Sequence, residues 1–267
     1  MRVERPVGIV VAMEEEFLPF RALLPGLGTV PGSGPWETWE GFAGPRRVVV
    51  VLSDCGPVNA AAALEGLIGR FDPEVVLSSG AAGAHDPELL PGDVVVGARY
   101  RILVPPAVQE ERRRRGLHAK GFRFRREGRR HHADSLEVPA GLVAQAVAIG
   151  EDELRRLGPW TGPGWPAGVE ARDGRLLDGV VGSADAWTTL AEDLRELHAF
   201  YGSLCEDMES AFLAQLCELH RLPFVSVRTV SNNERRSPLA PGDVPAAISL
   251  AGERSARIVA RLAASCG

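Results

Sequence analysis

The sequence predicts a mixed α/β fold, a single sheet covered on both faces by helices. Two observations carry this. Short continuous apolar runs recur along the chain, and longer segments with apolar residues at helical spacing lie between them. Turn-forming residues fall at the junctions, as in Gly56-Pro57 and Pro91-Gly92-Asp93.

The elements follow in order. Residues 7–12 form an apolar run, as expected of a strand buried on both faces, and 47–52, with four consecutive valines, repeat that pattern. Ala- and Leu-rich residues 59–68 predict a helix after the Gly56-Pro57 turn. Further strands are expected at 75–78, 94–97, 179–183 and 224–230. Further helices are expected at 142–157, 190–200, 209–220 and 244–263. In the last helix Ala251, Ser255, Ile258, Val259 and Leu262 recur at helical spacing. Sheets of this kind place ligands at the carboxyl ends of their strands.

At 267 residues the chain is expected to fold as one domain, 1–267, with a basic insertion at about 99–135. Its net charge of -5 argues against nucleic-acid binding by the whole surface. The apolar run ending at Met13 is too short to span a membrane. Four cysteines without a CxxC pair predict reduced thiols and a cytoplasmic protein. No metal or cofactor is expected: His131-His132 lacks ligand-spaced company, and no GxGxxG or GxxxxGK[ST] loop occurs.

Two regions stand out by charge. Residues 99–130 hold twelve Lys and Arg against three Glu, a local charge of +9. This segment reads as a solvated insertion, as a site for an anionic substrate tail, or as a nucleic-acid patch in which Phe122 and Phe124 interleave with arginines. The other is Glu14-Glu15-Glu16, at the end of the first strand. It reads either as an acidic first helical turn or as a functional cluster in which crowding raises a carboxyl pKa.

Other strand ends carry candidate residues. Ser79-Gly80-Ala81-Ala82-Gly83 lacks large side chains and lets a flat ligand approach the backbone. Glu206-Asp207-Met208-Glu209 is expected to open a helix. Ser231-Asn232-Asn233 ends a buried strand, and Asp185-Ala186-Trp187 adds an aromatic ring near that rim.

Six segments, in order, resemble the methylthioadenosine/S-adenosylhomocysteine nucleosidases, a branch of the purine nucleoside phosphorylase family. They are GIVVAMEEEF (Gly8–Phe17), SDCGPVNAAAAL (Ser53–Leu64), DPEVVLSSGAAGAHDPELLPGDVVV (Asp72–Val96), GSADAW (Gly182–Trp187), DMESAFLAQLC (Asp207–Cys217) and LPFVSVRTVSN (Leu222–Asn232). The resemblance implies a three-layer α/β/α sandwich of the nucleoside phosphorylase type. It also implies a homodimer or higher homo-oligomer, and a small-molecule purine nucleoside as substrate.

By the same resemblance Glu16 is the base that activates water, Met208 and Glu209 meet the ribose, and Trp187 stands against the purine. Asn232, beside Ser231, occupies the place of the general acid, and Ala81 and Gly83 complete the substrate-binding set. Such chemistry needs carboxylates at the sugar, because losing the base builds positive charge there. Two departures stand out: Ala81 replaces a common serine, and Asn232 replaces an aspartate. An amide cannot protonate a leaving base, but it offers a carbonyl and an NH₂, a pair that suits a 6-oxopurine and, flipped, meets adenine. Acids at 14–16, with Arg21 the nearest cation in sequence, favour hydrolysis over phosphorolysis. A non-catalytic purine-binding protein on the same fold is the alternative of a different class.

Overall fold

The computed structural model describes residues 5–32, 34–118 and 120–266. The chain begins with β1 (Val7–Val11), α1 (Glu14–Leu23), β2 (Gly28–Thr29), β3 (Glu37–Ala43), β4 (Arg46–Leu52) and α2 (Pro57–Phe71). It continues with β5 (Val75–Ala84), β6 (Val94–Ile102), α3 (Pro106–Arg114), β7 (Phe122–Arg126), β8 (Arg129–Ala133), β9 (Leu136–Glu137) and α4 (Ala140–Leu157). It ends with β10 (Leu176–Ser183), α5 (Ala191–Tyr201), β11 (Ser203–Asp207), α6 (Ser210–His220), β12 (Phe224–Asn232) and α7 (Val244–Ser265).

The central sheet is mixed, in the order β11-β10-β6-β12-β5-β1-β4-β3-β2, with β9 beside β6. β4, β1, β5 and β12 run parallel, β12 meets β6 antiparallel, and β6, β10 and β11 are again parallel. β11 also pairs with the far end of β5, so the sheet curls back on itself where β5 ends.

Apolar residues decide these strands. All five residues of β1 are buried, as are all nine of β12. Helices cover the sheet: α7 packs on α1, α4, β5 and β12, while α2 and α6 pack together and against β1, β4, β10 and β12. α2 starts where expected, with Pro57 in its first turn after Gly56, whose φ of 97° suits glycine.

Each predicted strand and helix is present, with shifted ends. β5 and β6 run well beyond their expected limits, to Ala84 and Ile102. β5 stays extended through its Gly-Ala stretch because β12 and β11 pair with both of its edges there. One expectation is overturned: Glu206 and Asp207 end strand β11 and do not open a helix, which begins at Ser210. The acidic character suggested a helical first turn, but pairing with β10 and β5 keeps these residues extended.

The basic segment spans several elements. Arg99–Ile102 completes β6, and the rest forms α3 and the β7–β8 hairpin. Phe122 is fully buried in the main core and Phe124 stacks on His131, which leaves neither ring open for a nucleic-acid base. Among the described residues no helix is long and apolar enough to cross a membrane.

Candidate active site

The carboxyl ends of β1, β5, β11 and β12 converge on a cavity of about 240 Å³. Glu16, Ala81, Gly83, Trp187, Met208, Glu209, Ser231 and Asn232 all line it. Glu14, Glu15, Ser79, Gly80, Asp185 and Asn233 do not line it, whereas these eight residues share one cavity. Cys55, Glu206 and Asp207 join them, as do the apolar Leu239, Val244 and Ile248 beneath the start of α7.

Glu16 lies in the first turn of α1, as a helix-start acid, and it faces the cavity. Its carboxylate is buried, at 2% exposure, and is held by backbone donors alone. Oε2 accepts from the N–H groups of Ala12 and Met13, each at 3.1 Å, and Oε1 accepts from Ala81 at 2.8 Å. Reaching back to the N–H groups that precede α1 is what a glutamate at this helix position does when it caps. Burial raises the Glu16 pKa above the ordinary carboxyl range; Arg228 and the three N–H groups lower it, but burial prevails.

Arg228 is the cation the sequence analysis overlooked. Arg21, the nearest in sequence, instead sits over the rings of Phe17 and Trp39. Arg228 points inward from β12, almost fully buried. Its Nε donates to Asp207 Oδ2 at 2.6 Å, its Nη2 donates to Ser78 and Ser210 at 3.0 Å each, and Glu209 Oε2 lies 3.9 Å away. Burial opposes its charge, yet Asp207, Glu209 and Glu16 together outweigh that and hold it protonated. A Cβ on Gly80 would collide with Arg228 Nη1 and with Glu16 Oε1, so only glycine lets these two groups approach each other there. The signal was present in the sequence: one arginine within the apolar strand FVSVRTV must be paired if the strand is buried.

Asp207 anchors this arrangement. It accepts from Ser183, Ser210 and Arg228, and from the backbone N–H groups of Glu209 and Ser210. Glu209, immediately before α6, accepts from Gly56 N–H at 3.0 Å. Burial first, then the neighbouring Asp207, pushes its pKa up to about 7. Cys55 lies on the same wall, but burial and then Glu209 and Glu16 push its thiol up to about 12, which denies it a thiolate near neutral pH.

The opposite wall is flatter. Gly83 faces Trp187 and Asn232: a Cβ there would stand 3.7 Å from the indole Nε1 and 3.8 Å from either amide atom of Asn232. Ser231 Oγ donates to Asn232 Oδ1 at 2.8 Å, and Asn232 Nδ2 donates to Glu234 Oε1 at 2.9 Å. The β12 register shifts between Val230 and Asn232, a bulge that turns this end of the strand into the cavity.

None of the arginines of the basic segment lines the cavity. Several pair with nearby acids instead: Arg113 with Glu110, Arg115 with Glu111, and Arg126 with Glu218. Among the described residues, no group of three His, Cys, Asp or Glu side chains is placed to hold a metal ion.

Comparison with known proteins agrees with this architecture. A 5'-methylthioadenosine/S-adenosylhomocysteine nucleosidase of Treponema pallidum is 28% identical over 235 residues, 85% of this chain and 80% of that protein. In fold the chain is similar to the Neisseria meningitidis enzyme of the same name, in complex with methylthio-immucillin-A (TM-score 0.73, 24% identity, 98% of this chain and 100% of that one). It is equally similar to the futalosine hydrolase of Helicobacter pylori (TM-score 0.74, 21% identity, 97% of each chain). The profile of the Phosphorylase superfamily matches residues 6–264, and the chain belongs to that family.

Proposed function

We propose that this protein hydrolyses the N-glycosidic bond of a purine nucleoside, in the manner of the nucleosidases it is similar to. The observation that carries the reading is Glu16: a buried carboxylate on the cavity wall, held by three backbone N–H groups and facing the same space as Glu209 and Asn232. Its raised pKa brings it nearer the range in which a carboxylate accepts a proton from water at neutral pH. Glu16 takes a proton from the water that attacks ribose C1′ as the C1′–N9 bond breaks; the base leaves with the bonding pair and is protonated by solvent water, and the negative charge of Glu16 stabilises the positive charge that builds on the ribose. Glu209 binds the ribose hydroxyls beside Met208 and fixes the sugar against that water. Arg228 holds Asp207 and Glu209 in place and tempers the mutual repulsion of the three acids. Trp187 stacks on the base above Gly83, Ala81 supplies backbone at the sugar, and Asn232, steadied by Ser231, meets the base edge.

Water, not phosphate, is the nucleophile in this reading. Around Gly80 three carboxylates, Glu16, Asp207 and Glu209, face a single guanidinium. A dianion entering there meets net repulsion, whereas a neutral water does not. A second reading concerns the base: Asn232 in place of an acid favours a 6-oxopurine nucleoside, as in a futalosine hydrolase, over an adenine one.

The chain is read as one domain. The four free cysteines, three of them buried, support the cytoplasm as its compartment. Exposed Val58, Trp187 and Leu190, at the cavity end of the sheet, support a homodimer that covers them.

The test is a panel of methylthioadenosine, adenosylhomocysteine, inosine and futalosine, each incubated with and without phosphate while free base is measured. Release without phosphate is expected. Release only with phosphate makes the protein a phosphorylase, and binding without release makes it a purine-binding protein.

A further inference from the structure

We infer that Glu206 reads the base and selects a 6-oxopurine over adenine, an inference that rests on the purine nucleoside reading above. Register comes first. Gly83 on β5 pairs with Asn232 on β12 on one side and with Glu206 on β11 on the other. Residues paired across strands project to the same face, so the two side chains flank Gly83, their backbones roughly 9.6 Å apart across two strand spacings. Both line the cavity, and no side chain on Gly83 stands between them. A flat base lying over Gly83 then meets an amide at one edge and a carboxylate at the other.

The hydrogen bonds already made decide what each edge can recognise. Glu206 is 3% exposed and firmly held. Its Oε1 accepts from Thr188 N–H at 2.5 Å; its Oε2 accepts from Thr188 Oγ1 at 2.9 Å and lies 3.0 Å from His85 Nε2. His85 is fixed in turn by Ser203 Oγ, 2.7 Å from its Nδ1. Oε1 therefore keeps acceptor capacity for a ligand. The Thr188 N–H, next in sequence to Trp187, is engaged by this carboxylate and is not open to a ring nitrogen.

At the other edge, a carboxylate only accepts, so the Glu234 contact fixes Nδ2 of Asn232 on the Glu234 side and Oδ1 on the Ser231 side. The second Nδ2 hydrogen remains to donate. The cavity thus presents an acceptor at Glu206 and a donor at Asn232. A hypoxanthine- or guanine-type base offers N1–H to the first and O6 to the second. Adenine offers a lone pair at N1 and an amine at C6, which inverts both.

The experiment measures kcat/KM for base release from inosine and adenosine with the wild-type protein and with Glu206→Gln. Calorimetric binding of free hypoxanthine and adenine runs alongside. Wild type is expected to favour inosine by about tenfold or more, and Glu206→Gln, whose amide donates to N1, is expected to lose at least about tenfold of that preference. A wild-type preference for adenosine, or a ratio the substitution leaves unchanged, overturns the inference while leaving the hydrolase reading intact. If neither nucleoside releases base, the four-nucleoside panel alone judges the hydrolase reading, and the two base affinities decide the inference. Tighter hypoxanthine binding then supports it, and tighter adenine binding, or no binding of either, overturns it. The wild-type ratios keep the test valid if Glu206→Gln does not fold.

Discussion

Two regions of this protein are dense in charge, and they put it to opposite uses. At the strand ends Glu16, Asp207 and Glu209 line one cavity and are buried with Arg228, each fixed by named partners. Across α3 and the β7–β8 hairpin, arginines at positions such as 113, 114 and 115 are about 70% exposed and pair with acids one helical turn away. In sequence the second region is the more conspicuous. Exposed pairs of this sort contribute little, because water already solvates both partners, whereas a buried charge must be matched. Burial, and not charge density, marks the candidate site.

That contrast breaks most readily at Arg228. Arg228→Met removes the guanidinium facing three buried carboxylates and is expected to destabilise the fold by ~3–5 kcal/mol, read by chemical denaturation. A loss below about 1 kcal/mol would place these acids in a wetter environment than the structure gives them.

A pH series sharpens the same point. Glu209 has an ordinary pKa of 4.5 in the unfolded chain and about 7 in the fold. Between those values the folded protein keeps a proton the unfolded chain has lost, so this group's contribution to stability falls as pH rises from about 4.5 to about 7. Glu209→Gln has no such group. Relative to wild type it should gain stability between pH 4.5 and pH 8, by up to ~3 kcal/mol. Parallel curves for the two proteins would refute the buried, raised-pKa state of Glu209.

The smallest effect is expected from the basic region. Replacing Arg113, Arg114 and Arg115 by Gln should change stability by less than ~1 kcal/mol and leave kcat/KM for inosine and for a nucleoside with an anionic tail unchanged within about twofold. A KM raised only for the tailed substrate would return this segment to the cavity.

Much of this was legible from the sequence, for identifiable reasons. Doubly buried strands read as apolar runs, and β1, β4 and β12 were found that way. The eight site candidates were found through motifs at strand ends, and they do converge. Strand β3, ETWEGFA, was missed because Glu37, Thr38 and Glu40 leave it no continuous apolar run, although Thr38, Trp39, Gly41 and Ala43 are buried. β11 was missed because its closing acids, Glu206 and Asp207, imitate a helix start, and only partners distant in sequence hold them extended. The settings of Arg228 and Glu206 were hidden for the same reason: both are made by contacts with residues far away along the chain, such as Ser78 and His85.

The proposed hydrolysis depends above all on the Glu16 carboxylate as the group that activates water. The most direct measurement is base release by Glu16→Gln in phosphate-free buffer, paired with calorimetric binding of the same nucleoside. Turnover is expected to fall by ~10²–10⁴-fold with binding affinity largely kept. Turnover within a few-fold of wild type would contradict it.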